Sequence, residues 1–138
     1  MTAKQYLSQA IQLDRRIRAK RANIKHLREL ACSVSPAAGE YAGKSGAGDP
    51  VGRSAARIAD LEAELRADVK RYTALHREIA AVIDRVPDAR YVELLTRRYI
   101  CGQTWEQIAE GMSYNSRWVR RLHGKALYAV SLILQTGP

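Results

Sequence analysis

Apolar residues recur at alternating spacings of four and three along the first quarter of the chain, which is the pattern of a heptad seam on one face of a helix. The seam has one charged member, Lys20, and no Gly or Pro interrupts residues 1–32. We therefore predict one long amphipathic helix over this stretch. Its seam positions are Tyr6, Ala10, Leu13, Ile17, Lys20, Ile24, Leu27 and Ala31.

The same alternation returns after residue 52 and predicts a second long helix, which ends before Pro87. One position of this second seam is also charged, Asp68. The intervening residues 33–52 contain five Gly and two Pro, which predicts a flexible loop. The second seam comprises Ile58, Leu61, Leu65, Asp68, Tyr72, Leu75, Ile79, Val82 and Val86.

Neither predicted helix can bury its apolar stripe alone. We expect residues 1–87 to form a long antiparallel helical hairpin, coiled-coil-like, with the Gly-rich loop 33–52 at its tip. The alternative is that the same seams pair between chains and make a homo-oligomer. In the hairpin, Lys20 and Asp68 are expected to approach one another as a charged pair that fixes the register of the two helices.

Residues 88–138 predict a second domain of three shorter helices, so the expected fold class is all-α. Asp88 is placed to cap the first helix, and Cys101-Gly102 ends it. Thr104 with Gln107 fits a capping box that starts the second helix. Asn115 is a suitable cap for the third.

The last two helices and the short turn between them fit a helix-turn-helix. Ala109 supplies the small residue that this unit needs where its helices cross. Ser113 stands where the turn usually has Gly, and a left-handed non-Gly residue there costs about 1 kcal/mol. The apolar anchors around the turn are Ile108, Met112, Tyr114, Val119 and Leu122.

Composition narrows the classes of function. Twenty-three Lys and Arg against fourteen Asp and Glu give a net charge of +9, which is typical of proteins that meet a polyanion. There is no membrane-length apolar run and no signal-peptide core, and Cys32 and Cys101 are isolated, so we expect a cytoplasmic protein without a disulfide framework or zinc site. No paired carboxylates, metal cluster or catalytic triad can be assembled, so we expect neither an enzyme nor a cofactor.

Double-stranded DNA is the partner that the last helix favours. Between Ser116 and Leu134 it carries four basic residues and no acidic one. Arg side chains on its outward face can reach guanine O6 and N7 in the major groove, and the helix N-terminus suits phosphate contacts. The expected DNA-contacting residues are Asn115, Ser116, Arg117, Trp118, Arg120, Arg121 and Lys125.

Three further side-chain roles stay open at this point. Trp118 fits a contact with the DNA backbone or with a protein partner equally well. His123 suits packing or a simple surface role better than a phosphate contact. The basic residues of the stretch 15–28 form either a second contact with the DNA backbone or the solvated face of a coiled coil.

The stretch from Thr104 to Leu127 resembles the helix-turn-helix of region 4 of bacterial sigma factors, most closely in Val119-Arg120 and in Lys125-Ala126-Leu127. The sigma pattern implies base reading by Ser116, Arg117, Arg120 and Arg121. Arg117 stands where primary sigma factors have an acid and Arg121 where they have an amide, so the resemblance does not imply a −35-like target.

Most of the chain also resembles small phage and prophage transcriptional regulators of the ArpU/RinA type. The matching blocks are Tyr6-Leu7, the run from Arg98 to Ala109, and the run from Arg121 to Leu127. This resemblance implies control of late phage genes, or of transcription near the packaging genes, in a bacterial host cell.

The leading expectation is therefore a phage-type, sequence-specific transcription regulator that reads the major groove with residues 116–134. The alternative is a sigma-like adaptor that binds RNA polymerase or another phage protein, with DNA binding secondary. A small DNA-packaging subunit is less consistent with the order of the segments, because those proteins usually place the helix-turn-helix before the oligomerisation helices.

Overall fold

The computed structural model describes residues 1–45 and 50–137, with side chains for 1–33 and 52–137. Within these ranges the regular structure is helical and no strand is present, which confirms the all-α prediction. Residues Thr96–Ile100 form a π-helical turn that continues directly from the helix Ala89–Leu95. The helices are α1 (Ala3–Ser45), α2 (Pro50–Asp84), α3 (Ala89–Leu95), α4 (Trp105–Met112) and α5 (Ser116–Thr136).

The chain divides into two compact units. One consists of Met1–Leu13 with Tyr72–Pro138, and the other consists of Asp14–Arg71. This division differs from the boundary predicted after residue 87, because the start of α1 and the end of α2 contribute side chains to the same core as α3, α4 and α5.

The first unit has one hydrophobic core. Of its members from residues 1–87, Ala10, Ile79 and Val86 are predicted seam positions, whereas Ala3, Leu7 and Ile83 are not. The predicted seam residues Tyr6 and Val82 are only partly buried against this core. Its members from α4 and α5 include predicted residues on both sides of the turn. Residues of α3, α4, α5 and the π-helical turn, together with the start of α1 and the end of α2, therefore form this core. The buried residues are Ala3, Leu7, Ala10, Ile79, Ile83, Val86, Leu94, Leu95, Tyr99, Ile108, Ala109, Val119, Leu122, Ala126 and Val130.

The second unit contains a pair of ion bridges between α1 and α2. Lys20 Nζ lies 2.5 Å from Asp68 Oδ2, and Arg28 Nη2 lies 2.5 Å from Glu62 Oε1. The order of the partners is opposite in the two helices, so these stretches run antiparallel. The predicted approach of Lys20 and Asp68 is confirmed. Ile17, Ile24 and Leu61 are buried along the same seams.

The extent of the predicted loop 33–52 is wrong. Helix α1 continues to Ser45 and α2 begins at Pro50, so residues 33–45 and 50–52 have helical backbone, and residues 46–49 lie outside the described part. The Gly and Pro residues of this stretch do not prevent helix formation. The stretch 37–44 also contains Ala, Glu and Lys, which have high helix propensity. Pro50 stands at the first helical position, where its missing N–H leaves no intrahelical bond unmade.

Candidate nucleic-acid interface

A left-handed Gly and short-range hydrogen bonds set the conformation of the segment before α4. Gly102 has a φ of +68°, a left-handed conformation that suits Gly and turns the chain after the π-helical turn. The Gln107 N–H donates to Thr104 Oγ1 over 3.2 Å, and the Thr104 N–H donates to Gln107 Oε1 over 2.8 Å. This reciprocal capping box, predicted from the sequence, starts α4 at Trp105.

The turn between α4 and α5 comprises Ser113, Tyr114 and Asn115. Ser113 adopts the left-handed conformation, with φ 60° and ψ 39°, as its position in the predicted turn requires. The Tyr114 N–H donates to the Ala109 carbonyl over 2.9 Å and so closes the end of α4. Asn115 Oδ1 accepts from the Trp118 N–H over 2.8 Å, which confirms Asn115 as the cap of α5.

Helix α5 has one buried face, formed by Val119, Leu122, His123, Ala126 and Val130. At 100° per residue, the opposite side of the helix carries residues 117, 121, 124 and 128 in a single row. We call this set the outward row: Arg117, Arg121, Gly124 and Tyr128.

The three arginines of α5 are available to bind an anion. Arg117 and Arg121 are exposed on the outward row, one turn apart, and Arg120 is exposed on its flank. None of these three side chains has an ion pair or hydrogen bond to another side chain of the described residues. Their positive charge is therefore uncompensated where the first three turns of α5 face outward.

The remaining predicted contact residues divide into two groups. Asn115 and Ser116 are exposed at the N-terminus of α5, where the first backbone N–H groups are open to an anion. Trp118 is half-buried and packs against the core, and Lys125 Nζ lies 5.5 Å from the centre of its ring. Trp118 and Lys125 therefore occupy one flank of α5 and do not belong to the outward row.

His123 packs inside the first unit. Its Nε2 is 2.7 Å from the Tyr99 hydroxyl oxygen, and its ring centre is 4.6 Å from that of Trp105 in an edge-on arrangement. Burial, together with the positive charges of Lys4 and Arg98, lowers the pKa of His123 from 6.5 to about 4. The ring is therefore neutral at pH 7, and the packing role favoured by the sequence is confirmed over a phosphate contact.

Trp105 packs beside His123 in the first unit. It is half-buried against the core, and the Arg98 guanidinium carbon lies 4.4 Å from the centre of its ring. Arg98 Nη1 donates to the Gln103 carbonyl over 3.0 Å. These contacts hold the segment that leads into α4.

Two members of the outward row, Gly124 and Tyr128, are not among the expected DNA-contacting residues. Gly124 carries no charge, and Tyr128 lies eleven residues after Arg117, beyond the basic cluster that guided the prediction. Tyr128 is 67% exposed, which is unusual for a large aromatic side chain in a helix. The signal that could have identified both is their spacing, since 117, 121, 124 and 128 follow the same four-and-three alternation.

The basic stretch of α1 contains both paired and unpaired side chains. Arg18 pairs with Asp14 at 3.0 Å, whereas Lys20 and Arg28 bridge to α2. The exposed side chains of Arg15, Arg16, Arg21 and Lys25 have no ion pair with any described carboxylate. These four side chains are spread around the exposed side of α1 and give the second unit positive charge that no described carboxylate balances by an ion pair.

Other kinds of site were sought in the same residues. The described side chains contain no group of three or more His, Cys, Asp or Glu that could hold a metal ion. In the same part of the chain, no helix is both long and apolar enough to cross a bilayer. No protein-family model, curated protein or solved structure matches the chain.

Proposed function

We propose that this protein is a sequence-specific, duplex-DNA-binding transcription regulator of phage type, which acts in the cytoplasm of a bacterial host. Helices α4 and α5 are the helix-turn-helix, and α5 enters the major groove. The observation that carries the proposal is the outward side of α5, where Arg117, Arg120 and Arg121 are exposed and have no partner among the described carboxylates.

The dimensions of α5 suit this role. Its 21 residues make a rod about 31 Å long, and side chains one turn apart are separated by about 5.4 Å along it. Arg117 and Arg121 can therefore address neighbouring base pairs, each through a bidentate contact with guanine. Arg120, on the flank, is placed for a phosphate, as are the N–H groups behind the Asn115 cap.

The long helices supply the second part of the proposal. The two ion bridges show that the joined stretches of α1 and α2 run antiparallel, and this supports a helical hairpin in the second unit. Such a hairpin holds two copies together or contacts RNA polymerase, and the resemblance to ArpU/RinA-type regulators and to sigma region 4 favours a role in transcription. A dimer reads two half-sites separated by whole helical turns of DNA.

The direct test is selection of bound sequences from random duplex DNA at about 150 mM salt, where backbone attraction alone is weak. The wild type should enrich a defined motif, and Arg121→Ala should alter or abolish it. Arg77→Ala is the matched control, because it removes the same charge from an exposed position of α2 in the same unit. A wild type that enriches no motif contradicts the proposal.

A protein adaptor is the second candidate, and two exposed apolar side chains favour it. Tyr128 is 67% exposed and Leu132 is 45% exposed on the C-terminal half of α5. An adaptor should capture purified bacterial RNA polymerase equally well with Arg117→Ala and Arg121→Ala, whereas Tyr128→Ala with Leu132→Ala should lose it. Capture that depends on the arginines and on added duplex DNA contradicts the adaptor.

A further inference from the structure

Gly124 is a residue that the fold of α5 does not explain. It lies in the third turn of the helix, is exposed, and does not adopt a left-handed conformation. Apart from the neighbouring backbone of its own helix, a Cβ built at this position meets no heavy atom of the described residues within 4 Å. Because Gly is the least favourable helix residue after Pro, Ala would make the same helix more stable. Gly124 therefore weakens α5 without relieving a close contact among the described residues.

Gly111 in α4 shows the contrast. A Cβ at Gly111 would lie 2.4 Å from Arg97 Nη1, so that Gly leaves room for the Arg97 side chain. Arg97 in turn bridges Glu93 at 2.9 Å and Gln103 at 3.3 Å. Gly111 is thus explained by packing, whereas the space in front of Gly124 is open to the outside.

The surroundings of that open space favour an anionic occupant. Gly124 follows Arg121 on the outward row, and Arg120 and Lys125 stand on either side of it. Arg121 and Lys125 line the same shallow groove as Gly124. The groove beside the missing side chain therefore contains two cations with long, flexible stems, and its other lining residues are Tyr91, Tyr128, Ala129 and Leu132.

We infer that Gly124 is a positioning residue for DNA binding: its missing side chain lets the backbone of α5 come close to the duplex, so that Arg117 and Arg121 reach the base edges. The inference rests on the proposed function and adds a steric requirement to it. Close approach of a backbone to a ligand is a recognised use of Gly. A side chain at 124 would hold the helix away and lengthen both arginine contacts.

The test measures stability and DNA affinity together for Gly124→Ala and the bulkier Gly124→Gln. Gly124→Ala should raise the thermal midpoint by about 2–5 °C, through better helix propensity. It should also lower affinity for the selected duplex by about tenfold, the loss of one good base contact, and Gly124→Gln should lower it further. Gln135→Ala, at an exposed position of α5 beyond the cationic turns, is the control that leaves affinity unchanged.

Each other outcome overturns the inference. A stabilised Gly124→Ala with unchanged affinity means that the space is not used by DNA, while loss of the motif in Arg121→Ala would leave the proposed function standing. A lower thermal midpoint means that Gly124 has a role inside the fold. Unchanged affinity with weaker self-association in analytical ultracentrifugation assigns the space to a second copy of the chain. A wild type without sequence preference removes both proposals.

Discussion

A buried histidine gives the first unit a pH-dependent stability. The folded state lowers the pKa of His123 to about 4, below the ordinary 6.5, so the unfolded chain binds the proton more readily. The free energy of unfolding should therefore fall as pH drops from 6.5 towards 4, by about 1 kcal/mol per pH unit, and should be unaffected by this group above pH 7. Urea unfolding at a series of pH values measures it.

The variant His123→Gln isolates this contribution. Its amide can still bond the Tyr99 hydroxyl but does not titrate, so the decline between pH 6.5 and 4 should be shallower than in the wild type. His26 and His76 are present in both proteins and cancel in the difference. Equal slopes in the two proteins would show that His123 does not carry the effect.

Ser113 carries local strain in the turn before α5. Its φ of 60° places a Cβ in the left-handed region, which costs an ordinary residue about 1 kcal/mol or more. Ser113→Gly should raise the free energy of unfolding by about 0.5–1 kcal/mol and leave DNA affinity unchanged, as measured by urea unfolding and titration. Ser131→Gly, inside α5, is the control and should lower stability. A destabilised Ser113→Gly would contradict the strain.

At the scale of the helices, the charged pair on the α1 and α2 seams is expected to act as a unit. The Lys20 and Asp68 side chains are 29% and 20% exposed, so removing one leaves the other half-buried without a counter-ion. A double-mutant cycle with Lys20→Met and Asp68→Leu should give a coupling energy of about 1 kcal/mol or more in urea unfolding.

The bridge between Arg28 and Glu62 is the matched control, because its side chains are 60% and 36% exposed. Water screens such a pair, so the cycle with Arg28→Met and Glu62→Leu should give less than about 0.5 kcal/mol. Equal coupling in the two cycles would mean that burial along the seam does not strengthen the first pair.

The elements that the sequence predicted well are those set by short-range chemistry. Asp88, Thr104 and Asn115 each cap a helix through an atom two or three residues away, and all three caps were expected. Gly and Pro content predicts the extent of the loop 33–52 poorly, because helix formers stand between these residues and favour a helical backbone. Its helical backbone follows only when the helix propensity of Ala, Glu and Lys is set against that of Gly and Pro.

The candidate site could be predicted only in part, because charge identifies some of its residues and not others. Charge identified Arg117, Arg120 and Arg121, and the period of α5 placed them outward. Charge does not identify Gly124 or Tyr128, which only the spacing of the outward row reveals. The surroundings of His123 depend on Tyr99, which lies 24 residues earlier in the chain, and such a contact follows from packing rather than from local pattern.

At the scale of the whole chain, the net charge of +9 is unevenly distributed, with +6 in residues 1–32 and +3 in residues 88–138. We expect these two positively charged stretches to have different roles. Arginines on α5 are proposed to distinguish bases, whereas scattered cations on α1 can only attract phosphates. Sequence preference and salt dependence should therefore respond to different substitutions.

Arg21 and Lys25 on α1 allow these two responses to be separated, because both are exposed and neither has an ion pair with a described carboxylate. The double variant Arg21→Gln with Lys25→Gln should bind every duplex more weakly and keep the selected motif. If both side chains contact phosphates, the slope of log affinity against log salt should become shallower by about 1.8. Arg66→Gln with Lys70→Gln removes the same charge from the nearly balanced α2 and should change the slope less. An unchanged slope in the first variant would make the α1 cations a solvated face, and the long helices would then serve assembly or polymerase contact rather than DNA binding.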